Sequence, residues 1–263
     1  MIQRKTPDEI DQMAAAGRIL ARCHEILRGK ARPGVTTGEL DAAAERFIRS
    51  QGAEPAFKGY RGFPGSICAS PNSMVVHGIP GDYALSRGDI LSIDIGVILD
   101  GWVADGAITH PIGNPTPIAA RLLTTTRAAL FDAVEQCHPG NRLGDLSHAV
   151  QTRVERDGFS VIRSLVGHGI GRDMHEDPQI PNFGEAGTGP ELEEGMVLAI
   201  EPMVNAGTHH VRIGSDNWAV YSQDGSLAAH FEHTVAVTAE GPRILTPWHE
   251  LVSSGATPAA ASA

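Results

Sequence analysis

The chain contains an internal repeat, and both copies include an apolar segment that ends at a carboxylate. The matched segments are 33–40 with 139–146, displaced by 106 residues, and 88–94 with 195–201, displaced by 107. Several coincidences at nearly one spacing indicate a duplicated unit. No Pro-, Ser- or Gly-rich linker separates the copies. We therefore predict one domain over residues 1–250 with an approximate internal two-fold axis, across which Asp94 and Glu201 face each other.

Hydroxyl–proline pairs predict a helix start in each copy. Thr6-Pro7 and Thr116-Pro117 place an N-cap side chain directly before a proline at the first helical position. A second helix begins after Thr36 or Thr37 and stops at Gly52. The second copy repeats this order, so each half is predicted as two helices followed by strands.

Apolar segments with hairpin signals between them predict the strands. They cover residues 90–99, 102–108, 197–204, 210–213, 218–222 and 229–237. Asp100-Gly101 and Asp224-Gly225 are two-residue hairpin signals, because both central positions of that turn need positive φ. The expected fold class is α+β, with an antiparallel sheet backed by two helix pairs.

Charge and cysteine content exclude several classes of protein. The net charge is −10 and no Lys/Arg block is longer than Arg4-Lys5, which disfavours nucleic acid or an anionic membrane bound through a basic patch. Three widely spaced cysteines indicate neither a disulfide framework nor a cysteine zinc site. Acids at Asp8, Glu9 and Asp11 interrupt the segment where an export signal would be apolar. We expect a cytoplasmic protein with no membrane partner, and a disordered tail over 251–263.

The Asp100-Gly101 turn fixes the register of its hairpin and brings two acids together. Residue 99 pairs with residue 102, so Asp105 lies directly across from Gly96. Asp94 and Asp105 then share one face as diagonal neighbours, with Cβ atoms roughly 7 Å apart. Taken alone, such acids are more often solvated strand residues than parts of a site.

Three further residues favour a metal site over a solvated face. Glu201 ends one apolar segment, Glu232 lies inside another, and His168 lies in Gly-His-Gly-Ile-Gly. Four buried carboxylates without compensation are strongly unfavourable, and two divalent ions balance their charge. Oxygen donors with one histidine and no thiolate suit Mn, Fe(II), Co(II) or Zn, and the sequence does not choose among them. Two such ions would activate a bridging water and aim it at a polarised carbonyl, which is the chemistry of hydrolysis.

Two more histidines lie in glycine-containing segments, where the chain can approach a ligand closely. His77 follows two valines, which is also typical of a core residue, and His175 could instead be a turn residue bonded to Glu176. The pattern of residues leaves both alternatives open.

Seven short motifs surround these residues. They are Val-Val-His77-Gly-Ile-Pro, Ile-Asp94, Asp100-Gly-Trp-Val-Ala-Asp105, Gly-His168-Gly-Ile-Gly, Met-His175-Glu, Ile-Glu201-Pro-Met and Phe-Glu232-His-Thr. Together they resemble the motifs of methionine aminopeptidases of type I, over about residues 6–245. The resemblance implies the pseudo-two-fold pita-bread fold and two divalent metal ions. The implied metal ligands are Asp94, Asp105, His168, Glu201 and Glu232, with Asp105 and Glu232 bridging both ions.

The same resemblance implies the remaining roles in one catalytic domain. The implied catalytic residues are His77 and His175, which contact the substrate near the scissile bond and stabilise the tetrahedral intermediate, and Glu201, which carries the proton. The implied substrate pocket consists of Phe57, Tyr60, Phe63, Cys68, Met174 and Trp218. Each of these six is about equally well explained as an ordinary core residue.

The implied activity is removal of the N-terminal methionine from polypeptides with a small second residue, by attack of a metal-bridging hydroxide on the first peptide carbonyl. Thirty residues separate Glu201 from Glu232, too few for the helical insertion typical of type II enzymes. The implied partners are peptide and nascent polypeptide N-termini. Ribosome association is left open, and we expect a monomer.

Two alternative functions are weighed against this one. A proline-specific aminopeptidase or dipeptidase resembles this fold and its five ligands, but normally has a large additional N-terminal domain for which this chain lacks the length. A non-catalytic pita-bread protein that binds ribosomes or RNA would be free to lose ligands and would benefit from a basic face. All five ligands are present here, and the net charge is acidic.

Overall fold

The computed structural model describes residues 1–253. The predicted tail over 251–263 begins inside a helix, Trp248–Ser253, and its remainder lies outside the described residues. The assignment of residues 1–250 to one domain stays a prediction. Among the described residues, no helix combines the length and the apolar character needed to cross a membrane.

Four long helices within residues 1–253 form the two pairs that the repeat predicts. They are α1 Pro7–Lys30, α2 Thr37–Ser50, α3 Pro117–Val134 and α4 Leu143–Arg156; the short α5 is Trp248–Ser253, and Tyr60–Gly62 forms a 3₁₀ turn. Thr6 caps α1 by accepting from the Glu9 N–H, and Thr116 caps α3 by accepting from the Ala119 N–H. Both predicted helix starts are confirmed.

The strands pair in four groups within the described chain, and every pairing is antiparallel. They are β1 Glu54–Pro55, β2 Cys68–Pro71, β3 Met74–Val76, β4 Ile90–Leu99, β5 Trp102–Pro111, β6 Ser160–Val161, β7 Val166–Gly169, β8 Glu176–Pro181, β9 Val197–Ile200, β10 Met203–Asn205, β11 Val211–Ile213, β12 Val220–Ser222, β13 Ala228–His230, β14 His233–Thr238 and β15 Gly241–Ile244. β4 pairs with β5, β1 and β2, and a second group has the order β15-β14-β9-β7-β8. Two three-stranded groups, β13-β10-β6 and β11-β12-β3, complete the pairing.

The first hairpin has the register that its turn predicts. Asp100 and Gly101 have φ of 51° and 75°, as a two-residue turn requires. Leu99 pairs with Trp102 and Gly96 with Asp105, and β5 continues three residues beyond the predicted end at residue 108. The diagonal placement of the two aspartates is therefore confirmed.

The two strands predicted over 197–204 and 229–237 are wrong as continuous elements. The first is divided into β9 and β10 at Glu201-Pro202, and the second into β13 and β14 at Phe231-Glu232. Ile200 pairs with His233 on one side of the gap and Met203 pairs with His230 on the other, so both breaks lie at the same register. Pro202 has no N–H for the ladder, which favours a break at this place. At the gap the chain leaves one strand group for another, and both glutamates lie in it.

The predicted hairpin at Asp224-Gly225 is also wrong. β12 pairs with β11 and β3, whereas β13 pairs with β10, so this turn joins strands of different groups. The Asp224 carboxylate accepts hydrogen bonds from the N–H groups of Thr208 (2.7 Å) and Ser226 (3.0 Å) and holds two loops together. Aspartate frequently bonds nearby backbone in turns of many kinds, so Asp-Gly signals a turn more reliably than a hairpin.

Matching backbone contacts in the two halves support the duplication. The Gly34 N–H donates to the Leu85 carbonyl at 2.8 Å, and the Gly140 N–H donates to the Leu192 carbonyl at 2.9 Å. The bridge between residues 36 and 84 has its counterpart between residues 142 and 191. These pairs are displaced by 106 or 107 residues, like the sequence repeat. We interpret them as one loop-to-helix connection used twice.

Helix α1 approaches the end of β15 so closely that one position in it tolerates only glycine. A Cβ atom built on Gly17 would overlap the backbone carbonyl of Leu245.

We expect Gly17→Ala to lower the free energy of unfolding by roughly 1–3 kcal/mol, the usual effect of overpacking, despite the better helix propensity of alanine. Urea unfolding measures this change. Gly29→Ala, at an exposed position of the same helix, is the control and should raise stability by about 0.5–1 kcal/mol. A stable Gly17→Ala protein would contradict the close helix contact.

Candidate active site

All the side chains predicted to form the site line one cavity of about 180 Å³. They are Phe57, Tyr60, Phe63, Cys68, His77, Asp94, Asp105, His168, Met174, His175, Glu201, Trp218 and Glu232. Within residues 1–253, Arg61 is the one further residue in its wall. The structure therefore brings together residues from both halves of the repeat, and their individual roles stay a proposal.

The first pair of acids lies on the β4–β5 hairpin and is buried. The Asp105 backbone is bound on both sides by Thr234, whose hydroxyl accepts from its N–H at 3.0 Å and donates to its carbonyl at 2.7 Å. Burial raises the pKa of Asp105 to about 7. Burial, and then the charges of Asp105 and Glu201, raise the pKa of Asp94. The Oδ1 atom of Asp94 has no hydrogen-bond partner among the described residues.

The second pair of acids comes from the gap between the broken strands. The flanking pairs place Glu201 opposite Glu232 if the register is continued through the gap. The Glu232 N–H donates to the Ala107 carbonyl at 2.9 Å, and the Trp248 indole donates to the Glu232 carbonyl at 2.8 Å. Burial, followed by the neighbouring acids, raises the pKa of both glutamates. Like charges opposite each other destabilise a sheet, so the negative charge of this pair must be compensated.

His168 completes the acidic cluster from β7. Its Nδ1 lies 2.9 Å from the Gly169 carbonyl, and since a carbonyl only accepts, Nδ1 carries the proton. Its Nε2 lone pair is then available, 3.7 Å from Glu201 Oε1. Burial lowers the pKa of His168 to about 4, which keeps the ring neutral.

The donor set fits divalent ions. Asp105, His168 and Glu232 each offer one ligand atom, and these atoms all lie within 4.8 Å of one another. The unpartnered oxygens Asp94 Oδ1 and Glu232 Oε1 are the kind of buried acceptor that a cation satisfies. Three or more oxygen donors with one neutral imidazole suit Mn, Fe, Co or Zn.

His77 and His175 lie at the mouth of the cluster. His77 has a φ of 60°, a left-handed conformation that is uncommon for a residue with a side chain. The His175 Nδ1 is 2.8 Å from the Tyr60 hydroxyl, and its ring lies 4.3 Å from that of His168. The alternative of a His175–Glu176 turn contact is wrong, because His175 Nδ1 contacts Tyr60, and the Glu176 carboxylate pairs with the Lys5 ammonium at 2.5 Å and accepts from the Asp173 N–H.

Apolar side chains form the rest of the wall. Phe63 meets Trp218 edge-on, with ring centroids 5.1 Å apart. Gly96 makes room for this wall, since a Cβ there would approach the Phe57 ring to 2.8 Å. Burial, followed by the charge of Asp94, raises the pKa of the Cys68 thiol, so it behaves as a small apolar group.

Two residues near the acids were not predicted from the sequence. Arg61 has a φ of 49° and its guanidinium lies 5.3 Å from the centre of the Tyr60 ring. The His230 Nε2 lies 3.6 Å from Glu201 Oε2 and 3.8 Å from Glu232 Oε2. His230 precedes Glu232 by two positions in a predicted strand, so strand alternation was a usable signal for it. No comparable pattern marked Arg61.

Known proteins share this arrangement over most of the chain. The sequence profile described as Metallopeptidase family M24 matches residues 11–239. Methionine aminopeptidase 1 from Bacillus subtilis (strain 168) is 54% identical over 246 residues, which cover 94% of this chain and 99% of that protein. The crystal structure of methionine aminopeptidase from Thermotoga maritima is 44% identical, with a TM-score of 0.92, and the match covers 94% of this chain and 99% of that one.

A prolidase gives a more partial match. Prolidase from Pyrococcus furiosus is 26% identical with a TM-score of 0.76, and the match covers 92% of this chain but 65% of the prolidase. The predicted pita-bread fold is confirmed by these structures, and the resemblance to type I methionine aminopeptidases is confirmed by the near-complete alignments. The chain belongs to metallopeptidase family M24.

Proposed function

We propose that this chain is a metal-dependent aminopeptidase that removes the N-terminal methionine from polypeptides with a small second residue. The observation that carries the proposal is the placement of three buried carboxylates, the nearly buried Glu201 and His168 beside an aromatic, thiol-containing pocket in one cavity. The relatives named methionine aminopeptidases support the same activity over nearly the whole chain.

The ligands of the divalent metal are proposed to be the five residues that offer donors to the centre of the cavity. They are Asp94, Asp105, His168, Glu201 and Glu232. We propose two ions, because two divalent charges balance four carboxylates. Mn, Fe, Co and Zn all suit the donors. Bound divalent ions would polarise the peptide carbonyl and lower the pKa of a water molecule at the site.

His77 and His175 are proposed to bind the carbonyl oxygen of the scissile peptide bond. The Tyr60 hydroxyl can donate to His175 Nδ1, and the ring then carries its proton on Nε2. That N–H becomes a donor for the oxygen as negative charge develops on it. Glu201 is proposed to take a proton from the attacking water and pass it to the departing amine, which requires one carboxylate within reach of both.

The apolar wall is proposed to hold the methionine side chain. Phe63 and Trp218 offer aromatic edges and faces, and thioether sulfur packs favourably against aromatic rings. Phe57, Cys68 and Met174 close the same pocket and exclude water from it. A side chain held there leaves its peptide bond beside the acids. The cytoplasmic location, the monomeric state and any ribosome contact stay predictions from the sequence.

Substrate preference separates this proposal from the proline-specific alternative. We expect protein that has been stripped of metal and reloaded with Mn²⁺ or Co²⁺ to release methionine from Met-Ala-Ser and to leave Ala-Pro peptides intact. Chromatography of the released amino acid measures both reactions, and the stripped protein before reloading is the control. Preference for the Ala-Pro peptide would support the dipeptidase-like alternative, and inactivity on both would support the non-catalytic one.

Removal of the imidazole ligand tests the metal site. We expect His168→Ala to bind one divalent ion fewer per chain and to lose nearly all turnover, because one proposed metal position then loses its nitrogen ligand. Metal analysis after gel filtration gives the ion count, and the peptide assay gives turnover. His148→Ala removes an exposed histidine on α4 and should change neither quantity. An unchanged ion count in His168→Ala would refute its assignment as a ligand.

Loss of the Tyr60 hydroxyl tests how His175 is oriented. We expect Tyr60→Phe to lower kcat about tenfold with a smaller change in KM, since one hydrogen bond worth roughly 1.4 kcal/mol then no longer fixes the protonated nitrogen. Steady-state kinetics on Met-Ala-Ser separate the two constants. Tyr221→Phe is a matched control, because Tyr221 lies on β12 under the Arg212 guanidinium and does not line the cavity. Equal kcat in both variants would show that the Tyr60–His175 contact does not serve the reaction.

A further inference from the structure

A buried histidine lies close to the two glutamates and has no function in the proposed reaction. The side chain of His230 is 2% exposed, and its Nε2 lies 3.6 Å from Glu201 Oε2 and 3.8 Å from Glu232 Oε2. Neither ring nitrogen has a hydrogen-bond partner among the described residues. Buried polar groups without partners are uncommon in native proteins, so this one requires an explanation.

Hydrogen bonds to both of its strand neighbours fix the backbone of His230. Its N–H donates to the Thr109 hydroxyl at 2.9 Å, and the same hydroxyl donates to its carbonyl at 2.8 Å. The Ser92 hydroxyl lies 2.8 Å from that of Thr109 and donates to its second lone pair. On the other edge, His230 pairs with Met203. The ring therefore projects from a position held by β5 and β10 together.

The two glutamates lack any other donor. Within residues 1–253, neither carboxylate accepts a hydrogen bond from backbone or side chain, and Glu232 Oε1 is buried without a partner. Carboxylates that ligate metals are normally oriented by hydrogen bonds to their remaining oxygens. The Nε2 atom of His230 lies near one oxygen of each glutamate, slightly beyond hydrogen-bond distance of both.

The position of the carboxylates selects the tautomer of the ring. A neutral imidazole has one N–H and one lone pair, and a lone pair directed at two ionised carboxylates, the form that binds metal, would be repelled by both. An N–H in the same place is attracted by both. The arrangement therefore favours the proton on Nε2, with Nδ1 as the acceptor nitrogen.

We propose that His230 is a positioning residue whose Nε2–H donates to the carboxylates of Glu201 and Glu232 and holds both of them in the orientation that binds divalent ions. The proposal rests on the metal site of the proposed function. A single ring donates to one acid from each of the two broken strands. It therefore fixes the distance between the two acids. A small contraction toward either oxygen completes the hydrogen bond.

Metal affinity tests the proposal independently of catalysis. Titration calorimetry of the stripped protein with Mn²⁺ should give a Kd about 10–100 times weaker in His230→Leu than in the wild type, the usual range for loss of such an orienting group. His230→Gln retains an N–H donor of similar reach and should recover most of the affinity. We expect kcat to fall with affinity while KM for Met-Ala-Ser stays within about twofold, because the ring does not line the cavity.

The controls separate a positioning role from a purely structural one. His110→Gln replaces another buried histidine, on β5, and should leave the Mn²⁺ Kd unchanged. Equal affinity in His230→Leu and wild type, or equally poor affinity in His230→Gln and His230→Leu, would overturn the proposal. Should His230→Leu fail to fold, His230→Asn takes its place. The asparagine side chain is one methylene shorter than glutamine, so its amide does not reach the acids.

The protonated nitrogen can be observed directly. Two-bond proton–nitrogen correlation spectra of the Zn²⁺-loaded protein should show the His230 proton on Nε2. A bare Nε2 would overturn the donor role. Wild-type protein that binds no divalent ion at all would contradict the proposed function rather than the role of His230, and that result is obtained before any variant is compared.

Discussion

Mutual repulsion of buried carboxylates is the constraint on which the rest of this structure depends. Two unit charges of one sign about 5 Å apart repel by roughly 3 kcal/mol at an effective dielectric near 20, before any desolvation is counted. Asp94, Asp105, Glu201 and Glu232 are all buried or nearly so around one cavity. A fold of ordinary stability, about 5–15 kcal/mol, does not retain four such groups unless a cation or bound protons compensate them. The cluster is therefore evidence for a ligand as well as for a fold.

The two halves of the repeat deliver their acids by different means. Asp94 and Asp105 come from an unbroken hairpin, where register alone makes them diagonal neighbours. Glu201 and Glu232 come from a gap in a ladder that resumes in register on both sides. A gap frees both residues from strand geometry, and their backbones are then held by Ala107 and Trp248 for one and by Asn182 for the other. The hairpin therefore places its acids by register, whereas the gap places its acids by individual contacts.

The sequence predicted the helices and the first hairpin because each follows from local rules, whereas the pocket residues were implied by the resemblance to methionine aminopeptidases, which did not include Arg61. Thr6 before Pro7 determines a helix start, and Asp100-Gly101 determines a register. The breaks at Glu201 and Phe231 were missed because apolar segments look alike whether a strand continues or passes to another sheet. The Asp224-Gly225 error has a related cause, since a turn signal does not specify which strands pair. Such outcomes depend on contacts between distant residues.

Residues that act through others are the hardest to identify from sequence. His168 was recognisable because a glycine-rich motif surrounds it, whereas His230 lies in an ordinary apolar strand and gains its meaning from two carboxylates. Its backbone is held by Thr109, a residue 121 positions away whose hydroxyl accepts from its N–H and donates to its carbonyl. Thr234 holds Asp105 in the same manner from a distance of 129 positions. Two buried hydroxyls thus hold the backbone of Asp105 and that of His230, the proposed donor to the two glutamates. The residues that support the site therefore come from the same few strands as the residues that form it.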